Sequence, residues 1–150
     1  MRHANASAIL QTMNTANSHS IVSSLRSYGI SPTSQRIKIA EAIFSCTMHP
    51  SADQILAMVN SHRTMVSKAT VYNTLSLFVQ KGLIREVIVD PTKILYDANT
   101  SAHHHFYDVV TGELHDIDAS EVSLPSLPPM PSDRIFEGLD IIIRTRPATA

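Results

Sequence analysis

Residues 67–97, SKATVYNTLSLFVQKGLIREVIVDPTKILYD, constrain the fold most, because their hydrophobic period changes at Gly82. Before it, Val71, Leu75, Phe78 and Val79 recur at helical spacing, and Ser67 is placed to cap the first turn. After it, REVIVD and KILYDA are short β-rich runs around the turn DPT. Earlier stretches add more helix. SIVSSLRSYG carries Ile21, Val22, Leu25 and Tyr28 on one stripe, with Gly29 as its C-cap. SPTSQRIKIAEAIFSC groups Ile37, Ile39, Ala40, Ile43 and Phe44, with Thr33 or Ser34 as cap. HPSADQILAMVNSH starts at Ser51 and buries Ile55, Leu56, Met58 and Val59. Three helices followed by a hairpin make a winged-helix pattern.

The character changes after Thr100. HHFYDVV and ELHDI read as a second hairpin about TG. SLPSLPPMPSD, with four prolines, excludes regular structure. LDIIIRTR reads as a last strand. The expected organisation is α+β: a polar tail at 1–18 with a short helix around SAILQTM, a winged-helix DNA-binding domain at 19–98, a hinge at 99–102, and a small α/β dimerisation and metal-binding domain at 103–150. The last part, about fifty residues, is small for independent stability, and pairing with a second copy would remedy that.

Composition narrows the function classes. Hydrophobic residues at 43% and charged residues at 17% describe a globular chain without a membrane-spanning run or a secretory leader, expected in the cytoplasm. Cys46 is the single cysteine, which excludes an internal disulfide and a four-cysteine structural zinc. The net charge of −1 conceals an asymmetry: residues 1–85 hold eight Lys or Arg against two Asp or Glu, and residues 86–150 hold four against eleven. A basic first half suits a polyanion, and an acidic, histidine-bearing second half suits a cation.

A helix that reads the major groove needs small and hydrogen-bonding residues on its solvated face. Away from the apolar stripe, the Gly82-terminated helix offers Ser67, Lys68, Thr70, Tyr72 and Asn73. Lys68 and the hydroxyls suit phosphates, Tyr72 a thymine methyl, and Asn73 an adenine edge. Gln35 and Arg36 could anchor the DNA backbone. An ordinary amphipathic helix with a solvated face would look similar; the basic half and the hairpin favour DNA.

The run HHH offers different chemistry. In a strand, His103 and His105 share a face and His104 points the other way. A two-residue TG turn would pair Val110 with Glu113, set His105 against Asp118, and leave Asp116 diagonal to His105. With Asp97 before the run and His49 ahead of another helix, the set is nitrogen and oxygen only. It fits a divalent metal (Fe2+, Mn2+ or Zn2+) and disfavours thiolate-selected metals. Two other readings fit the same residues: a metal-buffering protein that does not bind DNA, and a His/carboxylate metalloenzyme. No HExxH motif supports the second.

TSQRIKIAEAIF, HPSADQI, VSKATVYNTLSLFVQKGLI and HHHFYDVVTGELHDI follow one another at a spacing that resembles the ferric uptake regulator (Fur) family, over residues 20–145. The resemblance implies a homodimeric winged-helix repressor that answers to a divalent metal and binds double-stranded palindromic operator DNA. It implies that Gln35, Arg36, Ser67, Thr70 and Tyr72 contact DNA. It also implies a regulatory metal site at His49, Asp97, His103, His105 and Asp116, with a candidate second metal or haem site at His104 and Glu121. The chain departs from the family pattern at three places. Ser31 stands where many members carry a basic residue, Asn73 where many carry Arg although the peroxide-sensing branch also has Asn, and Asp108 and Thr111 where most carry the cysteines of a structural zinc. The missing cysteines and short C-terminal end are similar to the iron response regulator branch, which is linked to haem. The Cys-Pro haem motif of some members is absent, since Thr47 follows Cys46.

Overall fold

The computed structural model describes residues 18–61, 63, 65–123 and 126–148. The short helix expected around SAILQTM lies outside them. The chain divides between Ser101 and Ala102 into two compact units.

The first unit runs α1 (Ser18–Ser27), α2 (Ser34–Ser45), α3 (Ala52–Asn60), α4 (Lys68–Gln80), β1 (Arg85–Asp90) and β2 (Lys93–Asp97). Each helix begins or ends where its local chemistry dictates. Thr33, Ser51 and Ser67 cap α2, α3 and α4 by accepting the N–H of Arg36, Gln54 and Thr70. Ser51 and Gln54 complete a capping box, since the Ser51 N–H donates to Gln54 Oε1. Gly29 and Gly82 end α1 and α4 at φ +69° and +74°. There the Ile30 and Leu83 amides turn back to Leu25 O and Phe78 O.

Ile21, Leu25, Ile39, Ile43, Ile55, Val59, Val71, Leu75 and Phe78 form the helical core, joined by Leu83 and Ile84 just before β1 and by Tyr96 of β2. Met58 departs from the expected buried side of α3 and stands 37% exposed. Its position sits off the Ile55–Val59 line that faces the core. β1 and β2 pair antiparallel. A bulge at Val89 shifts the register by one, so that Arg85, not Glu86, faces Asp97.

The second unit holds β3 (His103–Asp108), β4 (Leu114–Asp118), a short 3-10 turn at Ala119–Glu121 and β5 (Ile142–Thr145). Its sheet order is β4-β3-β5, with β3 antiparallel to β4 and parallel to β5. The expected last strand is therefore present but shortened to its second half.

The β3–β4 register corrects the expectation of a two-residue turn. Residues 109–113 form the loop, Tyr107 pairs with Leu114, and His105 pairs directly with Asp116. The cause is local. Asp108 Oδ1 accepts the N–H of both Val110 and Thr111, Gly112 takes φ +76°, and its N–H donates to Asp108 O. Asp108 and Thr111 thus build a turn where relatives carry cysteines. The slip is two residues, so each side chain keeps its expected face.

Candidate metal ligands and nucleic-acid interface

In the first unit, the N–H of Tyr96 donates to Pro50 O at 2.9 Å, which ties the approach to α3 onto β2. That bond sets His49 beside Asp97, and His49 Nε2 lies 3.5 Å from Asp97 Oδ2. Asp97 is only 4% exposed. Its Oδ1 accepts the N–H of Asn99 at 2.8 Å, and Arg85 Nε stands 3.5 Å from the same Oδ2 that faces His49. A buried carboxylate is costly unless cations or donors surround it, and here both oxygens are engaged.

In the second unit, strand alternation puts His103 and His105 on one face, their rings 4.6 Å apart and edge-on. Asp116, on the facing strand, brings Oδ1 to 3.7 Å from His103 Nε2 and 3.6 Å from His105 Nε2. Both imidazoles are buried and the carboxylate is 44% exposed, so the group has one side toward water. Ligand atoms about 2.1 Å from a zinc-sized ion stand about 3.0 to 3.4 Å apart at right or tetrahedral angles. The imidazole–carboxylate separations of 3.5 to 3.7 Å in the two units are slightly wider than this. Imidazole with carboxylate and without sulfur suits Fe(II), Mn(II) or Zn(II).

His104 lies on the opposite face of β3 and is also buried. Its Nδ1 accepts the N–H of Ile141 at 3.3 Å, while the His105 N–H donates to Ile141 O at 3.0 Å. His104 thus helps to seat the segment that becomes β5, and Nε2 is the atom left to ligate. Glu121, expected as its companion, is exposed on the 3-10 turn.

The first unit also presents the expected nucleic-acid face. Gln35, Arg36, Thr70 and Asn73 line one open cleft of about 300 Å³ between α2 and α4, together with Thr33, Thr74 and Leu77. Arg36 Nη1 donates to Ser31 O at 2.9 Å, which steadies the guanidinium at the cleft. Ser67 and Thr70 hydroxyls bond each other at 2.8 Å. Tyr72 and Asn73 are exposed on the helix.

Lys68 has an unexpected neighbour. Its Nζ reaches Asp53 Oδ1 of α3 at 3.0 Å and lies 5.5 Å above the Tyr72 ring. The hydrogen bond to Asp53, with its charge, raises the Lys68 pKa above the usual lysine range. Two residues therefore escaped the sequence reading, Asp53 and Arg85. Only a count through the Val89 bulge could have found Arg85. Among the described residues no helix is long and apolar enough to cross a membrane.

Comparison with known proteins bears on the family and the fold. The sequence pattern of the ferric uptake regulator family matches residues 27–126. The peroxide-responsive repressor PerR of Staphylococcus aureus (strain Mu50) is 30% identical over 102 residues, 68% of this chain and 69% of that protein. Among solved structures, the ferric uptake regulator of Pseudomonas aeruginosa with manganese superposes at a TM-score of 0.64. It is 23% identical, over 85% of this chain and 97% of that one. A zinc-bound manganese uptake regulator reaches the same TM-score at 18% identity, over 85% of this chain and 98% of that one.

Proposed function

Because this chain belongs to the ferric uptake regulator family, we propose that one divalent cation, shared by His49, Asp97, His103, His105 and Asp116, governs its binding to a palindromic operator as a homodimer. As a member of that family it is a metal-responsive, DNA-binding transcriptional regulator and not an enzyme. The observation that carries the metal reading is the convergence of His103, His105 and Asp116, whose ligand atoms lie within 4.8 Å of one another. The His49–Asp97 pair supports it from the other unit.

A bound cation would supply positive charge at one point, toward which residues of both units can turn. His49 and Asp97 belong to the unit with the recognition helix, and His103, His105 and Asp116 belong to the sheet. Their joint engagement at residues flanking 99–102 would restrict how the two units move. In a dimer, that restriction sets the separation of the two recognition helices, and half-site spacing then decides fit. The effector need only favour the restricted arrangement to shift the population toward it. On the DNA side, Gln35, Arg36, Ser67, Lys68 and Thr70 would contact the backbone, and Tyr72 and Asn73 the base edges.

The test pairs metal analysis of untagged protein with gel shifts on palindromic DNA, at several salt concentrations, with and without Fe(II), Mn(II), Zn(II) and haem. We expect stoichiometric divalent metal and a specific, salt-dependent shift that responds to it. A His103→Ala, His105→Ala protein should lose both the metal and the response. Unchanged metal content and unchanged response in that variant would refute the assignment. A haem response lost in His104→Ala alone would move the effector to His104.

A further inference from the structure

The oxygen of Asp97 that faces His49 also faces a permanent cation. Asp97 Oδ2 lies 3.5 Å from His49 Nε2 and 3.5 Å from Arg85 Nε, while Oδ1 is taken by the Asn99 N–H. Arg85 is a guanidinium and brings a full positive charge. It is also well placed to stay, because Arg85 and Asp97 are direct partners across the β1–β2 hairpin. The Val89 bulge is what makes them so. Counted back from the Asp90–Lys93 pair without the bulge, the residue opposite Asp97 would be Glu86, a like charge. The hairpin is thus built to set a cation, rather than an anion, against this carboxylate.

That cation competes with any other cation for Oδ2. We propose that Arg85 is an affinity-setting residue of the regulatory site: it serves Asp97 as a standing counter-ion and weakens divalent metal binding, which fixes the metal concentration at which the regulator responds. This rests on the metal reading above. A divalent ion that engages Asp97 Oδ2 and His49 Nε2 must either displace the guanidinium or tolerate it as a near neighbour, and both lower the affinity. The counter-ion role has a second consequence. Removing Arg85 takes a positive charge from beside a buried carboxylate, so the metal-stripped protein loses stability that bound metal restores.

Mn(II) affinity of the full-length, metal-stripped protein, measured by competition with a chromophoric chelator, tests this in wild type, Arg85→Gln and Arg85→Lys. We expect Arg85→Gln to bind Mn(II) about tenfold more tightly, the scale on which groups around a ligand tune affinity. Arg85→Lys, which keeps the charge, should stay near wild type. Without metal, Arg85→Gln should melt below wild type, and saturating Mn(II) should narrow the gap. Equal or weaker binding by Arg85→Gln would overturn the proposal and make Arg85 a brace that positions Asp97.

Should that variant fail to fold, the wild-type protein still decides. The Arg85 Nε resonance, followed by NMR, should shift when Zn(II) is added, because the ion either displaces the guanidinium or becomes its charged neighbour, and no change would overturn the proposal. No Mn(II) binding by either wild type or Arg85→Gln would overturn the metal reading and this one with it.

Discussion

Asp90, Asp97, Asp108 and Asp118 each accept the backbone N–H two residues on at 2.8 Å. One local habit thus serves four positions, since a short carboxylate can fold back on its own chain. Surroundings separate their roles. Asp97 alone of the four is buried, and it faces His49 and Arg85. Asp90 lies at the surface, where the Thr92 hydroxyl also donates to it at 2.7 Å. The Thr92 hydroxyl and then its amide hold the Asp90 carboxyl below the usual carboxylate range. A carboxyl that ionises more readily folded than unfolded adds stability above the unfolded value, and that stability fades as pH falls through the folded one. Thr92→Val removes the larger cause. The variant should be less stable than wild type at pH 7, and the difference should shrink as pH drops below about 4. Urea midpoints across that range measure it; a difference that does not change with pH would exclude the linkage. The residue types at these turns were legible in the sequence. What sets Asp97 apart was not, because burial and the approach of Arg85 are made by residues distant in sequence.

The four aspartates are also the last residues of β1, β2, β3 and β4, so the same chemistry that bends the chain ends each of these strands. Helix ends obey equally local rules. Ser51 and Ser67 were readable as caps, and Thr33 as one of two candidates with Ser34, because capping needs only a side-chain oxygen and an amide three residues on. Strand pairing was less readable. Alternation assigned His103 and His105 to one face correctly, but the register depended on a five-residue loop in one hairpin and a bulge in the other. Both are set by hydrogen bonds and twist that periodicity does not encode. Gly82 isolates one such local rule. It ends α4 at φ +74°, and a Cβ added there meets nothing within 4 Å. Gly82→Ala therefore costs conformational energy alone, about 1 kcal/mol, read as a lower urea midpoint with an unchanged slope. A cost several times larger would mean that the loop into β1 also rearranges.

On the scale of the molecule, the second unit is short of core. Among its described residues, Tyr107, Leu114 and Ile117 are the buried apolar side chains, whereas Phe106 and Ile143 are 40% and 39% exposed. Those two are direct partners across the β3–β5 pair, so they share one sheet face, opposite to that of His103 and His105. An open apolar sheet face on a unit of this size calls for a partner, and proteins of this family are dimeric regulators. Covering this face with a second copy would explain how so small a sheet holds its histidines in place. Phe106→Glu with Ile143→Glu puts charge on that face while leaving the imidazole face untouched. Sedimentation should show the wild type as a dimer and the variant shifted toward monomer. The wild-type melting temperature should rise with protein concentration, as it must when folding is linked to association, and that dependence should weaken in the variant. Operator affinity should fall as well, because a monomer presents one recognition helix to a two-part site. A variant that remains dimeric at the same concentration would place the dimer contact elsewhere on the unit, on the exposed chain around Ile135 and Phe136, which are 92% and 54% exposed.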